Sequence, residues 1–149
     1  MFDRDSDPPV GALKKVLAGR RFDLALTLHE DYDANGLYFY EMSEQYMDDL
    51  GETLLAAARA LGFPIDARGT VETRRFTKPG LVRTRRRAAL AKFDIHPEAI
   101  WLYLNRARQS LTIETPSEFS LAARARMRAR LIEVCVEHLL ITRRPCCHC

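Results

Sequence analysis

Residues 22–41, FDLALTLHEDYDANGLYFYE, decide the fold of this chain. The first seven alternate Phe or Leu with Asp, Ala and Thr, and this period of two with little polarity on either face predicts a buried strand. The apolar run stops at the HED sequence of residues 29–31, three side chains that can bind metal or move protons. Turn residues follow at 33–36, because Asn and Gly tolerate positive φ. A second apolar run then occupies residues 37–40.

Helical patterns flank this segment on both sides. Asp7 followed by two prolines is typical of a helix start, and Gly19 suits the end of that helix. A second helix is predicted from Ser43 to Gly62. Its apolar stripe consists of Met47, Leu50, Leu54, Ala58 and Leu61. A helix, a tight turn and a strand in this order indicate an α/β unit.

The second half of the chain predicts a basic excursion, two strands and a covering helix. Residues 66–90 are rich in Arg, Gly and Pro, which favours an irregular surface segment. Strands are predicted at 99–104 and 110–113, with the latter stopping by Pro116, which cannot donate to a ladder. A long helix is predicted at 117–141. Its predicted inner stripe consists of Leu121, Ala125, Arg128, Ile132, Cys135 and Leu139.

The composition excludes several classes of protein. The chain of 149 residues is at most one domain, with 47% hydrophobic and 29% charged residues, as in soluble globular proteins. The net charge of +3 is too small to imply nucleic acid or an anionic membrane. No apolar run approaches the ~20 residues of a membrane span. The acidic first residues lack the apolar core of a signal peptide, so we expect a cytoplasmic location.

The four cysteines do not form the pattern of a disulfide framework. Three of them fall within the last four residues, and the fourth, Cys135, lies on the apolar stripe of the last helix. We therefore expect reduced thiols. His148 stands among the three terminal cysteines, but contiguous ligands seldom converge on one ion, since structural zinc sites space their pairs by two to four residues. A disordered Cys-rich tail is the favoured interpretation.

His29 and Glu114 are the candidate reactive residues, because each ends a predicted buried strand. In open α/β sheets, ligands bind just beyond the carboxyl ends of strands. Zinc binds neutral imidazole, and a nearby carboxylate can take a proton from a zinc-bound water. The two residues are 114 − 29 = 85 positions apart, so only the fold can bring them together. Taken alone, the residues slightly favour an exposed loop histidine beside two solvated acids.

The segment at residues 22–41, together with LTIETPSEF at 111–119, resembles the zinc carboxypeptidase family, in its bacterial branch near the succinylglutamate desuccinylase/aspartoacylase group. The resemblance implies an α/β fold, a partial mixed sheet with flanking helices, that matches the C-terminal half of such a domain. That half would span residues 1–141, and the Cys-rich tail would be residues 142–149.

The same resemblance implies a zinc-dependent metallocarboxypeptidase-like hydrolase of peptide or amide bonds. His29 matches the third zinc ligand of the family. Glu114 matches the catalytic glutamate, which acts as general base on the water and then as acid to the leaving amine. The implied substrates are peptides or N-acyl amino acids with a free carboxylate.

The chain departs from the family pattern in its zinc ligands. The family's first two ligands form an HxxE motif upstream, and only 28 residues precede His29. One histidine cannot make a tight zinc site, since three protein ligands are usual. We therefore expect the chain to be inactive without an upstream half as its partner. Three explanations remain open: a truncated or misassigned reading frame, a piece of a larger enzyme, or a degenerate relative without activity.

A rival interpretation is a non-catalytic interaction module. It would use the Arg-rich loop at residues 68–87 and the final helix to hold an acidic partner. RNA binding by the same arginines is disfavoured, because Phe76 is the one aromatic residue of the loop and single-stranded nucleic acid needs several stacking platforms.

Four further side chains near the candidate pair have two interpretations each. Tyr38 and Tyr40 could contact substrate, but aromatic packing is the favoured interpretation. Glu30 and Asp31 could orient the histidine as outer-shell partners of a metal ligand, or could simply be solvated.

Overall fold

A four-stranded mixed sheet with helices against it organises the chain. The computed structural model describes residue 2 and residues 7–43, 49–72, 74–85 and 96–142. The elements follow in the order α1 (Pro8–Leu17), β1 (Phe22–Asp31), β2 (Tyr38–Ser43), α2 (Leu50–Ala60), β3 (Thr70–Val71), β4 (Arg74–Arg75), β5 (Leu81–Thr84), α3 (Glu98–Asn105), β6 (Ala107–Pro116) and α4 (Leu121–Thr142).

The strand order in the main sheet is β1-β6-β2-β5. Strand β1 runs parallel to β6, β6 runs antiparallel to β2, and β2 runs parallel to β5. Strands β3 and β4 form a separate small antiparallel hairpin. This architecture confirms the predicted fold class, an α/β chain with a partial mixed sheet and flanking helices.

The register of the two long strands places their carboxyl ends side by side. His29 is paired with Glu114 across the β1–β6 ladder, and Glu30 is paired with Thr115. On the other side of β6, Tyr38 at the start of β2 is paired with Glu114. One edge of the sheet therefore collects an imidazole, a carboxylate and a phenol.

The main core lies between one face of the sheet and helices α2 and α4. Its fully buried side chains come from both layers and include Leu37, Phe39, Leu50, Leu54, Leu81, Leu111, Ile113 and Leu131. Burying each leucine contributes roughly 1.5–3 kcal/mol relative to exposure. On the opposite side, α3 covers the sheet with Ile100, Trp101, Leu102 and Tyr103. Helices therefore pack on both faces of the sheet whose strand ends carry the candidate residues.

One buried carboxylate ties four elements together. Glu41, on β2, is 3% exposed and accepts hydrogen bonds from Arg83 Nε at 2.7 Å, Gln109 Nε2 at 3.0 Å and the Gly51 amide at 3.1 Å. A Cβ at Gly51 would lie 2.8 Å from Glu41 Oε2, so glycine allows α2 to begin directly on the carboxylate. These bonds satisfy a charge that would otherwise be costly to bury.

The segment at residues 99–104 is a helix, which corrects the predicted strand. It belongs to α3, which follows Pro97 and ends where Asn105 Nδ2 donates to the Trp101 carbonyl at 2.9 Å. A short apolar run cannot be assigned by periodicity, because a buried helix and a buried strand give the same continuous pattern. Strand β6 begins at Ala107, three residues before the strand predicted at 110–113.

Residues 66–90 are more regular than predicted. They contain the β3–β4 hairpin and strand β5, whose Leu81 and Val82 are buried beside β2 in the main sheet. Four residues are too few for a period to stand out among arginines. The prediction of an irregular surface excursion is therefore wrong for 81–84, while residues 86–90 lie outside the described part of the chain.

The other predicted elements are confirmed with shifted details. Strand β1 is present, but it lies at the sheet edge and is only partly buried, and it continues through the HED sequence to Asp31. The predicted helix start at Ser43 is wrong, because Ser43 is the last residue of β2. Helix α2 begins at Leu50, and residues 44–48, with Met47 of the predicted stripe, lie outside the described residues.

The buried face of α4 is formed by Met127, Leu131, Val134 and Cys135. Leu121 is 71% exposed, so the predicted stripe was rotated around the helix axis. Of the predicted tail, Thr142 is the last residue of α4, and residues 143–149 lie outside the described residues. None of the described helices combines the length and apolar character needed to cross a membrane.

Candidate active site

The His29 and Glu114 side chains meet at the ends of β1 and β6. His29 Nδ1 lies 3.4 Å from Glu114 Oε1. The His29 side chain is 54% exposed, whereas Glu114 is 7% exposed. The two predicted residues therefore lie on the same face of the sheet and in contact, with the imidazole open to solvent and the carboxyl group beneath it.

Both side chains line an open cleft of about 370 Å³. Its walls are the end of β1, the start of β2, the loop that carries Arg68 and the turn of the β3–β4 hairpin with Glu72. The lining is mostly polar and combines acids, a histidine and a guanidinium. Convergent titratable groups in a cleft, one of them with a strongly shifted pKa, mark a candidate functional site.

The environment of Glu114 favours its protonated form. Burial raises the pKa of Glu114 to about 7, and the negative charges of Asp31 and Glu72 act in the same direction. The positive charge of Arg128 opposes this rise. A carboxyl group with a pKa near neutrality can both accept and release a proton, which is what a general acid–base residue needs.

Asp31 is held in its ionised form by three donors. Partial burial acts to raise its pKa, but hydrogen bonds from the Asp33 amide (2.8 Å), Tyr38 Oη (2.9 Å) and Arg68 Nη2 (3.1 Å) bring the pKa below its usual value. The charge of Asp31 is therefore fixed at the floor of the cleft, close to Glu114.

Arg68 is fixed in turn by a buried aspartate. Asp66 is fully buried and accepts hydrogen bonds from Arg68 Nε and from the Arg68 amide, both at 2.8 Å. The Tyr38 ring lies 5.9 Å from the guanidinium carbon, within the range of a cation–π contact. The hydrogen bonds to Asp66 and Asp31 together raise the pKa of Arg68 despite its partial burial.

The loop that presents Asp66 is positioned by a close backbone contact. Leu37 bridges to Ile65, and a Cβ at Gly36 would lie only 2.5 Å from the Ile65 carbonyl carbon and 2.6 Å from the Asp66 amide nitrogen. Only glycine allows this approach. The predicted positive φ at residues 33–36 is not found at Asn35 or Gly36, and it is the missing side chain of Gly36 that lets this segment approach the wall of the cleft.

Tyr38 is a permanent hydrogen-bond donor. Burial raises its pKa, as do the charge of Glu114 and the hydrogen bond to Asp31. Its ring packs edge-on against Tyr40 at 5.5 Å, so the predicted aromatic packing is present as well. The phenol points to Asp31, which links β2 to the end of β1.

The structure separates the candidate residues of the sequence into two groups. His29, Asp31, Tyr38 and Glu114 converge on the cleft. Glu30 also lines the cleft, but its carboxylate forms ion pairs with Arg124 and Arg128 of helix α4. Arg68 could not be singled out from the other arginines of the basic loop, because its position in the sequence does not reveal that Asp66 is a buried partner.

The described residues do not complete a zinc site. No three His, Cys, Asp or Glu side chains among them lie close enough to hold a metal ion together. His29 offers one imidazole beside one carboxylate, whereas a catalytic zinc usually has three protein ligands. The donor set seen here therefore does not fit zinc without further ligands.

Four of the described arginines proposed to bind an acidic partner are engaged within the chain. Their carboxylate partners lie on β1, β2, α2 and the loops, and the pairs are Arg68 with Asp31 and Asp66, Arg83 with Glu41 and Glu52, and Arg124 and Arg128 with Glu30. Charges that are already neutralised add little attraction for an acidic surface. The interaction-module interpretation is therefore not favoured.

Comparison with known proteins identifies solved structures of similar fold. No family model matches the sequence, and no curated protein matches it. A crystal structure of a putative metallopeptidase from Shewanella amazonensis has a TM-score of 0.67 and 22% identity over 86% of this chain and 44% of its own. One from Shewanella denitrificans has a TM-score of 0.67 and 18% identity over 87% and 46%.

A third, from Shewanella baltica, has a TM-score of 0.61 and 21% identity over 85% and 44%. This chain therefore spans less than half the length of the structures it matches. Such low identity establishes a likeness of fold, and the chain accordingly has the architecture of one part of each of these proteins.

Proposed function

We propose that this chain carries part of the active site of a metallopeptidase-type hydrolase of peptide or amide bonds. In this proposal Glu114 is the general base and His29 is one zinc ligand. The observation that carries the proposal is the 3.4 Å contact between the two side chains at the ends of parallel strands, inside a polar cleft. The likeness to three metallopeptidase structures supports the reaction class.

The role of Glu114 is supported by its burial and charge environment. A general base works best when its pKa lies near the working pH. In the proposed reaction, a water oxygen forms a bond to the substrate carbonyl carbon while Glu114 takes the proton of that water. The carbon–nitrogen bond then breaks, and Glu114 passes the proton to the leaving amine. Glu114 thus ends the cycle in its initial state.

The role of His29 is supported by its accessibility. Its exposed imidazole could bind a metal at the mouth of the cleft without disturbing the core. Further ligands would have to come from outside the described residues, as the comparison structures, of which the matched region covers less than half, allow. In this proposal residues 1–141 therefore act as the C-terminal half of a zinc carboxypeptidase-like domain.

The proposed substrates are peptides or N-acyl amino acids with a free carboxylate. Arg68 is the cation that lines the described cleft. Its guanidinium already binds Asp31 and Asp66, so a substrate carboxylate would have to compete with them. Comparing the binding of an N-acetyl amino acid with that of its carboxamide, by chemical-shift titration of the full chain, tests this part of the proposal. Equal affinities would contradict recognition of the carboxylate.

Zinc binding tests the ligand assignment. We would measure binding of Zn²⁺ to the full chain by competition with a chromophoric chelator, for the wild type, His29→Ala and Glu114→Gln. The wild type and Glu114→Gln should bind weakly and equally, and His29→Ala should lose this binding. Undiminished zinc binding by His29→Ala, with the three terminal cysteines replaced by serine in every variant, would refute the assignment.

Hydrolysis tests the reaction class. The chain would be assayed with zinc against a panel of dipeptides and N-acetyl amino acids, with mass spectrometry to detect slow turnover. Any activity should disappear in Glu114→Gln, whereas Glu118→Gln, on an exposed side chain after β6, should retain it. Turnover that survives in Glu114→Gln would contradict the role of general base.

A further inference from the structure

One guanidinium joins the ends of the two strands that carry the candidate pair. Arg128, on α4, donates from Nη2 to the His29 carbonyl at 2.7 Å and to Thr115 Oγ1 at 2.8 Å. The same nitrogen lies 3.0 Å from Glu30 Oε1. Thr115 Oγ1 also donates to the His29 carbonyl at 3.1 Å, so the hydroxyl group bridges the two strands.

The partners of Arg128 are the immediate neighbours of the reactive side chains. One is the backbone of His29 itself, one is Glu30, which follows it in β1, and one is Thr115, which follows Glu114 in β6. Arg124, one helical turn earlier on α4, pairs with Glu30 as well. Helix α4 therefore contacts both strand ends from the face of the sheet against which it packs.

The contacts made by Arg128 and Arg124 lie at the ends of β1 and β6, where few ladder hydrogen bonds hold the strands. Strand β1 is at the sheet edge and has β6 as its one partner among the described strands. Strand β6 ends at Pro116, which has no N–H to donate. Strand ends fray, because few bonds oppose their opening. Charge-assisted bonds from an arginine are stronger than neutral ladder bonds.

We propose that Arg128 is the positioning residue that keeps His29 and Glu114 in contact. It touches neither substrate nor reacting atoms in this scheme, and it holds the pair through the His29 carbonyl and Thr115. Its charge also acts on Glu114, and Thr115→Val, described below, removes one of these contacts without changing that charge. The inference rests on the proposed function, since the pair it positions is the proposed reactive pair. It adds a residue that would control the geometry of that pair from the covering helix.

The experiment measures the contact itself and needs no turnover. The ring nitrogen chemical shifts of His29 are measured by NMR in the ¹⁵N-labelled full chain at one fixed pH, because they depend on whether Glu114 lies beside the ring. The response is defined as the change in these shifts caused by Glu114→Gln. We expect a clear response in the wild-type background and loss of most of it in the Arg128→Met background. Arg128→Lys should restore it, because all three contacts use one nitrogen and an ammonium group has three donors.

Two further variants separate positioning from folding. Arg126→Met alters an exposed arginine of the same helix and should leave the response unchanged. Thr115→Val removes the bridging hydroxyl with little change of shape and should reduce the response even if Arg128→Met does not fold. An undiminished response in folded Arg128→Met, or in Thr115→Val where Arg128→Met does not fold, would overturn the inference and leave the proposed function intact. Absence of the response in the wild-type background would instead refute the contact on which the proposed function depends.

Discussion

His29 and Glu114 share one register position on two parallel strands, although 85 residues of chain separate them. The parallel pairing alone does not place their side chains on the same face with a 3.4 Å contact. That geometry also needs the exact in-register alignment of β1 with β6, because a slip of one residue turns every side chain of a strand to the other face. The register is therefore the structural fact on which the site depends.

Replacing Glu114 by glutamine should stabilise the protein at neutral and alkaline pH. In the folded state, burial and the charges of Asp31 and Glu72 raise the pKa of Glu114 from 4.5 to about 7, and the charge of Arg128 opposes this rise. His29 also faces the carboxyl group. The folded state thus binds the proton more tightly than the unfolded state. Ionisation of Glu114 therefore destabilises the folded state. This loss of stability is absent below about pH 4.5, grows as the pH rises, and is complete above about pH 7.

The expected gain for Glu114→Gln above pH 7 is on the order of 3 kcal/mol in the free energy of unfolding, and close to zero near pH 4.5. Urea unfolding at both pH values measures it. Glu118→Gln serves as the matched control, since its side chain is exposed. A gain for Glu114→Gln that is equal at both pH values would contradict the raised pKa.

The sequence was sufficient for the parts of the fold that follow a clear period. Strand β1, the end of β6 at Pro116 and the existence of helices α1, α2 and α4 could all be predicted. Their signals are local, in that alternation, capping residues and prolines act within a few positions. The approach of His29 to Glu114 could also be expected, because each follows a predicted strand and ligands bind at the carboxyl ends of strands in open α/β sheets.

The sequence was not sufficient where tertiary packing decides. The run AIWLYL at residues 99–104 has no polar position at a regular interval, so burial on one side of the sheet, and not periodicity, determines that it forms α3. The pairing of Arg68 with Asp66 and Asp31, and of Arg128 with the His29 carbonyl, joins residues through space. No spacing rule connects such residues, and arginines in basic segments look alike before the fold brings them to a partner.

Loss of Arg83 alone should destabilise the protein more than loss of Arg83 together with Glu41. Arg83→Met leaves the Glu41 carboxylate buried without its main counter-charge, which typically costs about 3–5 kcal/mol. The double variant Glu41→Leu, Arg83→Met removes the charge and should lose less stability. Urea unfolding of the single and double variants tests this, and a double variant less stable than Arg83→Met would contradict it.

Cys135 should be inert in the folded protein. It is 1% exposed in the core beneath α4, and burial raises its pKa to about 12. Since the thiolate is the reactive form, labelling by a disulfide reagent should be slow at pH 8 and fast after unfolding in urea. The test uses a variant in which Cys146, Cys147 and Cys149 are replaced by serine. Prompt labelling of the native variant would contradict the burial of this thiol.

Gly36 and Gly69 should respond oppositely to the same substitution. A Cβ at Gly36 would lie 2.5 Å from the Ile65 carbonyl carbon, which is backbone and cannot move aside cheaply, whereas a Cβ at Gly69 would meet nothing within 4 Å. Gly36→Ala should therefore cost about 1–3 kcal/mol of stability, as overpacking does. Gly69→Ala should be neutral or stabilise by up to about 1 kcal/mol, through loss of freedom in the unfolded chain.

Gly36→Ala should also disturb the cleft, because the displaced backbone presents Asp66, which holds Arg68. The NMR signal of the Arg68 Nε–H should shift or broaden in Gly36→Ala and stay in place in Gly69→Ala. Thermal unfolding and this signal, measured together, distinguish a general loss of stability from displacement of the cleft wall. An unchanged Arg68 signal in folded Gly36→Ala would show that the close contact at Gly36 does not position the arginine.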